Sequence, residues 1–342
     1  MDRFPLFRLP VVAISEVMKM FDLFEITMLS MCSKRTHRWI KSFRVHRPDL
    51  KIEVSHYFNI WVEIKNDSTK ENLFFKFVNH LSAYDKTKMN RSIKIGNHPD
   101  IPMNIEIVGS STDIYLYFDV KIEGIKAVTE YFCSLFEKEI YGASLSTVLR
   151  RSAPVTIMEW ILKRQKRIHF LMLESWDMTE TIATNLLSKF NNAEIVMIDF
   201  EFRSKFKSSF KFEGTKIEIL NSDWFTLNNL LNISCFHLFL AKSKLTSVDM
   251  NEFLKHWMTN DLKFKEIKIE MEEIQLDVLF SEISVIQRTN DVKRIYKKSE
   301  NQSIDIYGGF DIKRNNDGVT ATIVHDGGFE EVRREFWMIV WG

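Results

Sequence analysis

Glycine and proline are scarce in this chain of 342 residues, 11 and 6 respectively, which excludes a collagenous, low-complexity or disordered polymer. Cysteine is scarcer still. Cys32, Cys133 and Cys235 lie roughly a hundred residues apart, so they form no C-x-x-C pair and leave an odd thiol in any disulfide scheme, which fits a reducing compartment. An excess of one charge is also missing. The 47 Lys and Arg against 46 Asp and Glu leave a net charge of +1, which argues against a general nucleic-acid or anionic-membrane binder. The longest stretch free of those four residue types, Trp224 to Ala241, is interrupted by Asn228, Asn229, Asn232 and His237. It reads as a helix and a buried strand, with no membrane span. Met1-Asp2-Arg3-Phe4-Pro5 has no apolar run of the signal-peptide kind, so the N-x-S sequons at Asn66, Asn90, Asn232 and Asn301 are expected to stay unglycosylated. An intracellular protein, cytoplasmic or nuclear, is the expectation.

What remains is a globular composition, 45% hydrophobic and 13% aromatic, long enough for two or three folding units with real cores. Strictly spaced enzyme motifs are absent: there is no G-x-G-x-x-G, P-loop, H-E-x-x-H or G-x-S-x-G. Asp249, Glu252 and His256 share a helix face and form the best metal-like constellation, but Thr246 to Asp249 reads more simply as a capping box. A catalytic zinc asks for three well-placed His or Cys-rich ligands. Cys235 and His237 alternate onto one strand face, which suits a packed pair better than a nucleophile and its base. No catalytic residue, no metal and no cofactor is expected.

The first forty-five residues carry the most information. Pro10 fits the first position of a helix, after which Ile14, Val17, Met18 and Phe21 make one apolar stripe. Asp22 can cap a second helix carrying Ile26, Leu29 and Cys32, and Trp39, Ile40 and Phe43 begin a third apolar face. So small a unit encloses few of its own apolar groups, so it must lean on the rest of the chain or on a partner. Six cations, Lys34, Arg35, Arg38, Lys41, Arg44 and Arg47, follow without an acid between them. They read as a solvated helix face, with an acidic partner surface as the alternative.

Phe4-Pro5-Leu6, Leu9-Pro10, the stripe through Val17 and Phe21, Asp22-Leu23, Glu25-Ile26 and Leu29-Ser30-x-Cys32-Ser33-Lys34 resemble an F-box over about residues 4–45. The third helix departs from the pattern, with Thr36 where many F-boxes have a Trp and Trp39 three residues on. The resemblance implies a three-helix unit that docks on the S-phase-kinase-associated adaptor of cullin ubiquitin ligases. It assigns that contact to Leu9, Pro10, Ile14, Val17, Phe21, Ile26, Leu29 and Cys32.

Residues 51–120 alternate as strands do: Ile52 and Val54; Phe58, Ile60, Val62 and Ile64; Ile114, Leu116 and Phe118. Pro99 and Pro102 are expected in the connection between them, and helices at about Ile125 to Leu149 and Pro154 to Leu162. The second half holds a faint leucine-rich frame, L-x-x-L-x-L, at Ile168, Leu171 and Leu173, at Cys235, Leu238 and Leu240, and at Phe264, Ile267 and Ile269. Weaker frames are read at Ile195, Ile198 and Phe200, and at Ile217, Ile219 and Trp224. The ladder asparagine is replaced by Trp176, Arg203, Ser222, Ser243 and Glu272, and a plain α/β layer would give a similar alternation. Return helices are marked by Ala183, Leu186, Leu187 and Phe190 and by Met250, Phe253, Leu254, Trp257 and Met258. Asn315-Asn316-Asp317-Gly318 predicts a hairpin turn, and Trp337, Ile339 and Trp341 a last strand whose common face packs on the preceding repeat.

Ile219-Leu220-Asn221-Ser222-Asp223-Trp224, Leu245-Thr246, Asn251 to Trp257, Asp317-Gly318 and Phe336-Trp337 resemble the type 2 F-box-associated domain of nematode F-box proteins. The resemblance implies a receptor whose second half binds a target protein.

The expected architecture is therefore α+β. An F-box at 4–45 precedes a strand-rich and helical connecting region at 51–160, and residues 161–342 form an associated domain of LRR-like α/β repeats ending in a β-hairpin. The expected function is the substrate-recognition subunit of a cullin-based ubiquitin ligase, bridging the adaptor and an unknown target, without nucleic acid or membrane. An α/β interaction module unrelated to ubiquitin is the alternative, and a hydrolase with an unrecognised site a third reading.

Overall fold

The computed structural model describes residues 8–42, 49–78, 91–108, 111–203, 205–299, 302–324 and 334–341. Phe4-Pro5-Leu6, Phe43, Arg44 and Arg47 lie outside them. The chain divides into two compact units, residues 1–168 and 169–342.

In the first unit the helices α1 (Val11–Met20), α2 (Leu23–Met31) and α3 (Lys34–Ser42) come first. Pro10 sits one residue outside α1, and its carbonyl accepts the Ile14 N–H at 3.0 Å. Asp22 caps α2 through the reciprocal box with Glu25 expected of such a residue: Glu25 N–H donates to Asp22 Oδ1 at 2.6 Å and Asp22 N–H to Glu25 Oε2 at 3.0 Å. A sheet follows in the order β7-β1-β2-β3-β6-β5-β4, made of β1 (Leu50–His56), β2 (Ile60–Asn66), β3 (Glu71–Val78), β4 (Arg91–Ile95), β5 (His98–Val108), β6 (Ser111–Tyr117) and β7 (Ile140–Ser146). Ile52 and Val54, Val62 and Ile64, Leu73 and Phe75, and Ile114 and Leu116 fill its buried face, while Phe58 stands exposed in the turn between β1 and β2. Helix α4 (Lys121–Phe136) covers that face with Ile125, Val128 and Phe132, the last ring 4.8 Å from Phe75, and α5 (Ala153–Arg164) follows β7 as the helix expected at Pro154 to Leu162. The approach is close enough that a Cβ on Gly124 would meet Phe77 at 2.7 Å and Phe118 at 2.8 Å.

Two expectations fail here. The helix expected to run to Leu149 ends at Phe136, because Glu137 turns left-handed at φ 52° and returns its N–H to the Cys133 carbonyl. The segment that follows is drawn into the sheet as β7, parallel to β1, and the Gln165 side chain clamps it by accepting the Ile140 N–H and donating to the Ile140 carbonyl, at 2.9 and 2.8 Å. Pro99 and Pro102 lie inside β5, not in a connection. β5 pairs with β6 only from Met103 onward, so both prolines occupy a stretch with a neighbour on one side alone, where a missing N–H is tolerated.

The second unit is built around four strands that pair in parallel. β8 (Ile168–Met178), β9 (Ala193–Phe202), β10 (Lys216–Ile219), β11 (His237–Leu240) and β12 (Glu266–Glu270) lie side by side, with α6 (Glu180–Leu187), α7 (Leu227–Leu231), α8 (Ser247–Thr259) and α9 (Leu276–Leu279) in the returns. The parallel register of β9 to β12 aligns Val196 with Ile217, Leu238 and Ile267, and Ile198 with Ile219, Leu240 and Ile269. The frame read at Ile195, Ile198 and Phe200 is thus two residues late. Its true members are Ala193, Val196 and Ile198, all buried, and the repeat origins at 193, 214, 235 and 264 then lie 21, 21 and 29 apart. Where the ladder asparagine is missing, Ser222 takes over its task, donating from Oγ to the Ala241 carbonyl of the next repeat at 2.7 Å. The α8 stripe of Met250, Phe253, Leu254 and Trp257 is fully buried, each side chain contributing about 1.5–3 kcal/mol of transfer free energy.

Antiparallel strands close the unit: β13 (Ile286–Ser299), β14 (Gln302–Lys313), β15 (Thr320–Val324) and β16 (Glu335–Trp341), with β16 against β12. The hairpin expected around Asp317-Gly318 joins β14 to β15, Gly318 taking φ 72°. Ile339 is buried against Tyr296 and Ile306, with Trp337 and Trp341 packed beside them. The β13–β14 ribbon therefore covers the aromatic face of the last strand together with the preceding repeat, where the Trp337 indole donates to Glu266 of β12 at 3.0 Å and Lys268 lies over its ring.

Candidate functional site

The three N-terminal helices present two unlike sides. Toward their own unit they bury Ile14 and Met18 from α1, Leu23 and Ile26 from α2, and Ile40 from α3. Polar contacts fix the seat: Leu23 N–H donates to Glu71 on β3 at 3.2 Å, and the Tyr131 hydroxyl on α4 donates to Ser30 Oγ at 2.9 Å. Toward solvent α1 presents Val11, Val12 and Met20, exposed by 62, 75 and 85%. Three large apolar side chains so exposed on one ten-residue helix are uncommon, although Val11 and Met20 point about half a turn apart and do not share a face.

The residues assigned by resemblance divide between these sides. Pro10 and Cys32 are exposed; Leu9, Val17, Phe21 and Leu29 are half-buried; Ile14 and Ile26 are fully buried. The first six are open to a partner, whereas Ile14 and Ile26 can only hold the surface up from beneath. Sequence reasoning missed Val11, Val12 and Met20 because it followed the inward stripe. Their signal was apolar residues lying off that stripe.

The second unit carries a cleft of about 600 Å³ at the carboxyl ends of β9 to β12, bordered by Phe202, Asn221, Asp223, Lys242, Glu270 and Arg334. Lys242 turns left-handed at φ 56° there, donates its N–H to Glu270 at 3.0 Å and its Nζ to Asn221 at 2.7 Å. Asn221 in turn donates to Asp199, and Lys244 is paired with Glu272. These groups make a pre-set polar rim at the end of a parallel sheet where α/β folds place ligands.

The residues weighed for chemistry are occupied in structural work. Asp249 closes the Thr246 capping box, and His256 Nδ1 lies 3.1 Å from the Asn260 amide. Among the described residues no three His, Cys, Asp or Glu side chains are grouped to hold a metal ion. Burial pushes the thiols of Cys133 and Cys235 up to about 12, so both stay protonated and poorly nucleophilic at neutral pH. The Cys235 thiol points to the His237 carbonyl at 3.4 Å while the His237 ring turns to Glu266.

The F-box domain family matches residues 6–48 and the F-box associated family matches residues 201–265. An F-box match and an F-box-associated match thus stand on one chain. Both families are interaction modules and not enzymes. The chain is similar to the uncharacterized protein F59B2.9 of Caenorhabditis elegans, 24% identical over 94% of this chain and 75% of the relative. No solved structure matches it. The associated-family match spans β10, β11 and α8 and much of the cleft rim. No helix among the described residues is long and apolar enough to cross a membrane.

Proposed function

We propose that this chain is the substrate-recognition subunit of an SCF-type ubiquitin ligase, holding the S-phase-kinase-associated adaptor through α1 and α2 and a target protein through its second unit. The observation that carries the reading is the set of exposed apolar residues on α1, in a helical unit that is anchored to its own body through Ile14, Met18, Leu23 and Ile26. Leu9, Pro10, Val17, Phe21, Leu29 and Cys32 make the contact together with Val11, Val12 and Met20, and Ile14 and Ile26 support them. The rim at the carboxyl ends of β9 to β12 is the place for the target. Function follows from effective concentration: two sites on one body hold the target's lysines near the charged ubiquitin carrier, and no bond is made or broken here. Free thiols at Cys32, Cys133 and Cys235 suit the cytoplasm or nucleus, where such ligases work.

Replacing Leu9 and Pro10 together by Ala tests the reading. Co-purification with the adaptor is expected to be lost while circular dichroism stays unchanged. Unchanged co-purification refutes it.

A further inference from the structure

The cationic run after Cys32 acquires a specific geometry in the fold. Lys41 is spent on its own chain, 3.7 Å from Glu137. Lys34 and Arg38, four residues apart and so on one side of α3, instead border a cavity of about 600 Å³ that also receives Lys94 from β4. Lys34, Arg38 and Lys94 are exposed and have no hydrogen-bond or ion-pair partner among the described residues. Glu130, the single acid among the described residues of the rim, is taken by Arg164 at 3.2 Å. Three unanswered positive charges therefore meet at one opening.

The floor is different in kind. Met31, Ala127 and the Tyr131 ring supply apolar surface, and the His37 ring stands edge-on to Tyr131 at 4.8 Å. His37 Nδ1 is buried without a hydrogen-bond partner among the described residues. Burial and nearby Lys41 hold His37 below its ordinary value, so the ring is neutral at neutral pH and offers a donor when the proton sits on Nδ1. The first turn of α3 offers little, because Ser33 and Thr36 bond each other reciprocally: Thr36 N–H donates to Ser33 Oγ at 3.1 Å and Ser33 N–H to Thr36 Oγ1 at 2.9 Å. A compact phosphate cradle of converging backbone donors is thus absent at this turn, whereas separated point charges over an apolar floor fit several carboxylates carried on one chain.

We propose that this cavity between α2, α3, α4 and the β4–β5 turn binds an Asp- and Glu-bearing segment of a partner polypeptide. Apolar side chains of the segment lie on Met31 and Tyr131, and its carboxylates reach Lys34, Arg38 and Lys94. The volume lies within the roughly 300–1,000 Å³ of small-ligand clefts, enough for a few side chains. Cys32 is the one residue this cavity shares with the contact proposed for the adaptor, so the test rests on Arg38 and Lys94, which lie outside that contact.

The test uses the full chain and a fluorescein-labelled hexapeptide, Glu-Leu-Glu-Asp-Leu-Glu, followed by anisotropy at low salt. Saturable binding is expected, with R38E and K94E each weakening it by about tenfold. K163E, an equal charge change on an exposed residue away from the cavity, is expected to leave it within about twofold. K94E should also keep the circular dichroism and adaptor co-purification of the parent. The proposal is overturned if the parent chain shows no saturable binding, if K163E weakens it as much as K94E, or if equimolar inorganic phosphate displaces the peptide.

Discussion

Glu63 offers the sharpest quantitative test of the first unit, the body on which the F-box is seated. It lies on β2 directly across from Glu53 on β1 and from Phe74 on β3, and is only 8% exposed. Burial, with Glu53 and Asp67 adding like charge and Lys65 opposing them, raises its carboxyl to about 7. The folded chain therefore prefers the protonated acid. Below about pH 4.5 both folded and unfolded chains hold that proton and stability is untouched. Between about 4.5 and 7 the unfolded chain releases it first, stability falls, and above 7 the loss levels off. A rise of about two and a half pKa steps corresponds to about 3 kcal/mol. Glu63→Gln keeps the shape and removes the charge, so it should stabilise the protein by about 2–3 kcal/mol at pH 8 and by almost nothing near pH 4.5. Urea unfolding followed by tryptophan fluorescence would read both values. An equal effect at the two pH values would show that the carboxylate is not desolvated and that the packing around β2 is misread.

On α1, the triple change Val11→Ala, Val12→Ala and Met20→Ala removes apolar groups that touch little in the free chain. It should weaken adaptor binding by about a hundredfold, or ~3 kcal/mol, while shifting stability by under about 0.5 kcal/mol per site; calorimetric titration and thermal melts decide, and undiminished affinity would mean the adaptor sits elsewhere. At the other end of the chain Asp311, 4% exposed, accepts from Thr322 at 2.6 Å, Arg288 at 2.8 Å and Arg294 at 3.0 Å. Burial pushes its carboxyl up, but those bonds outweigh it and hold the group below its ordinary value, so its stabilisation is present at neutral pH and lost as pH falls through the carboxylate range. Asp311→Ala should cost about 3–5 kcal/mol and speed hydrogen exchange along β13 and β14; exchange equal to the parent's would refute the network's role.

Local chemistry was legible in the sequence wherever a few neighbouring residues settled the outcome. The capping boxes at Asp22 and Thr246 and the α8 stripe depend on spacing alone. Reading stopped where a distant partner decides. Nothing near Ile140 announces that β1 will recruit it in parallel and that Gln165 will clamp it, so helical periodicity ran on past Phe136. Pro99 and Pro102 looked like punctuation because the lack of a neighbour on one side of β5 is a property of the sheet. The frame at Ile195 slipped by two because a period of two repeats itself and only inter-strand register fixes the origin. At the candidate contact, periodicity found the amphipathic helix yet could not say that Ile14 faces inward and Val12 outward, since helix α1 is apolar on both sides.

The antiparallel strand β16 laid against β12 has a bearing on how such a chain can vary. A stack of parallel repeats left open would offer its terminal backbone to any passing strand, including that of a second molecule. Here growth at that margin is sealed by a ribbon running the opposite way. A lineage could therefore lengthen or shorten the array between residues 193 and 264 by whole units, retuning what it grips, while the terminal plug and the N-terminal helices keep their places.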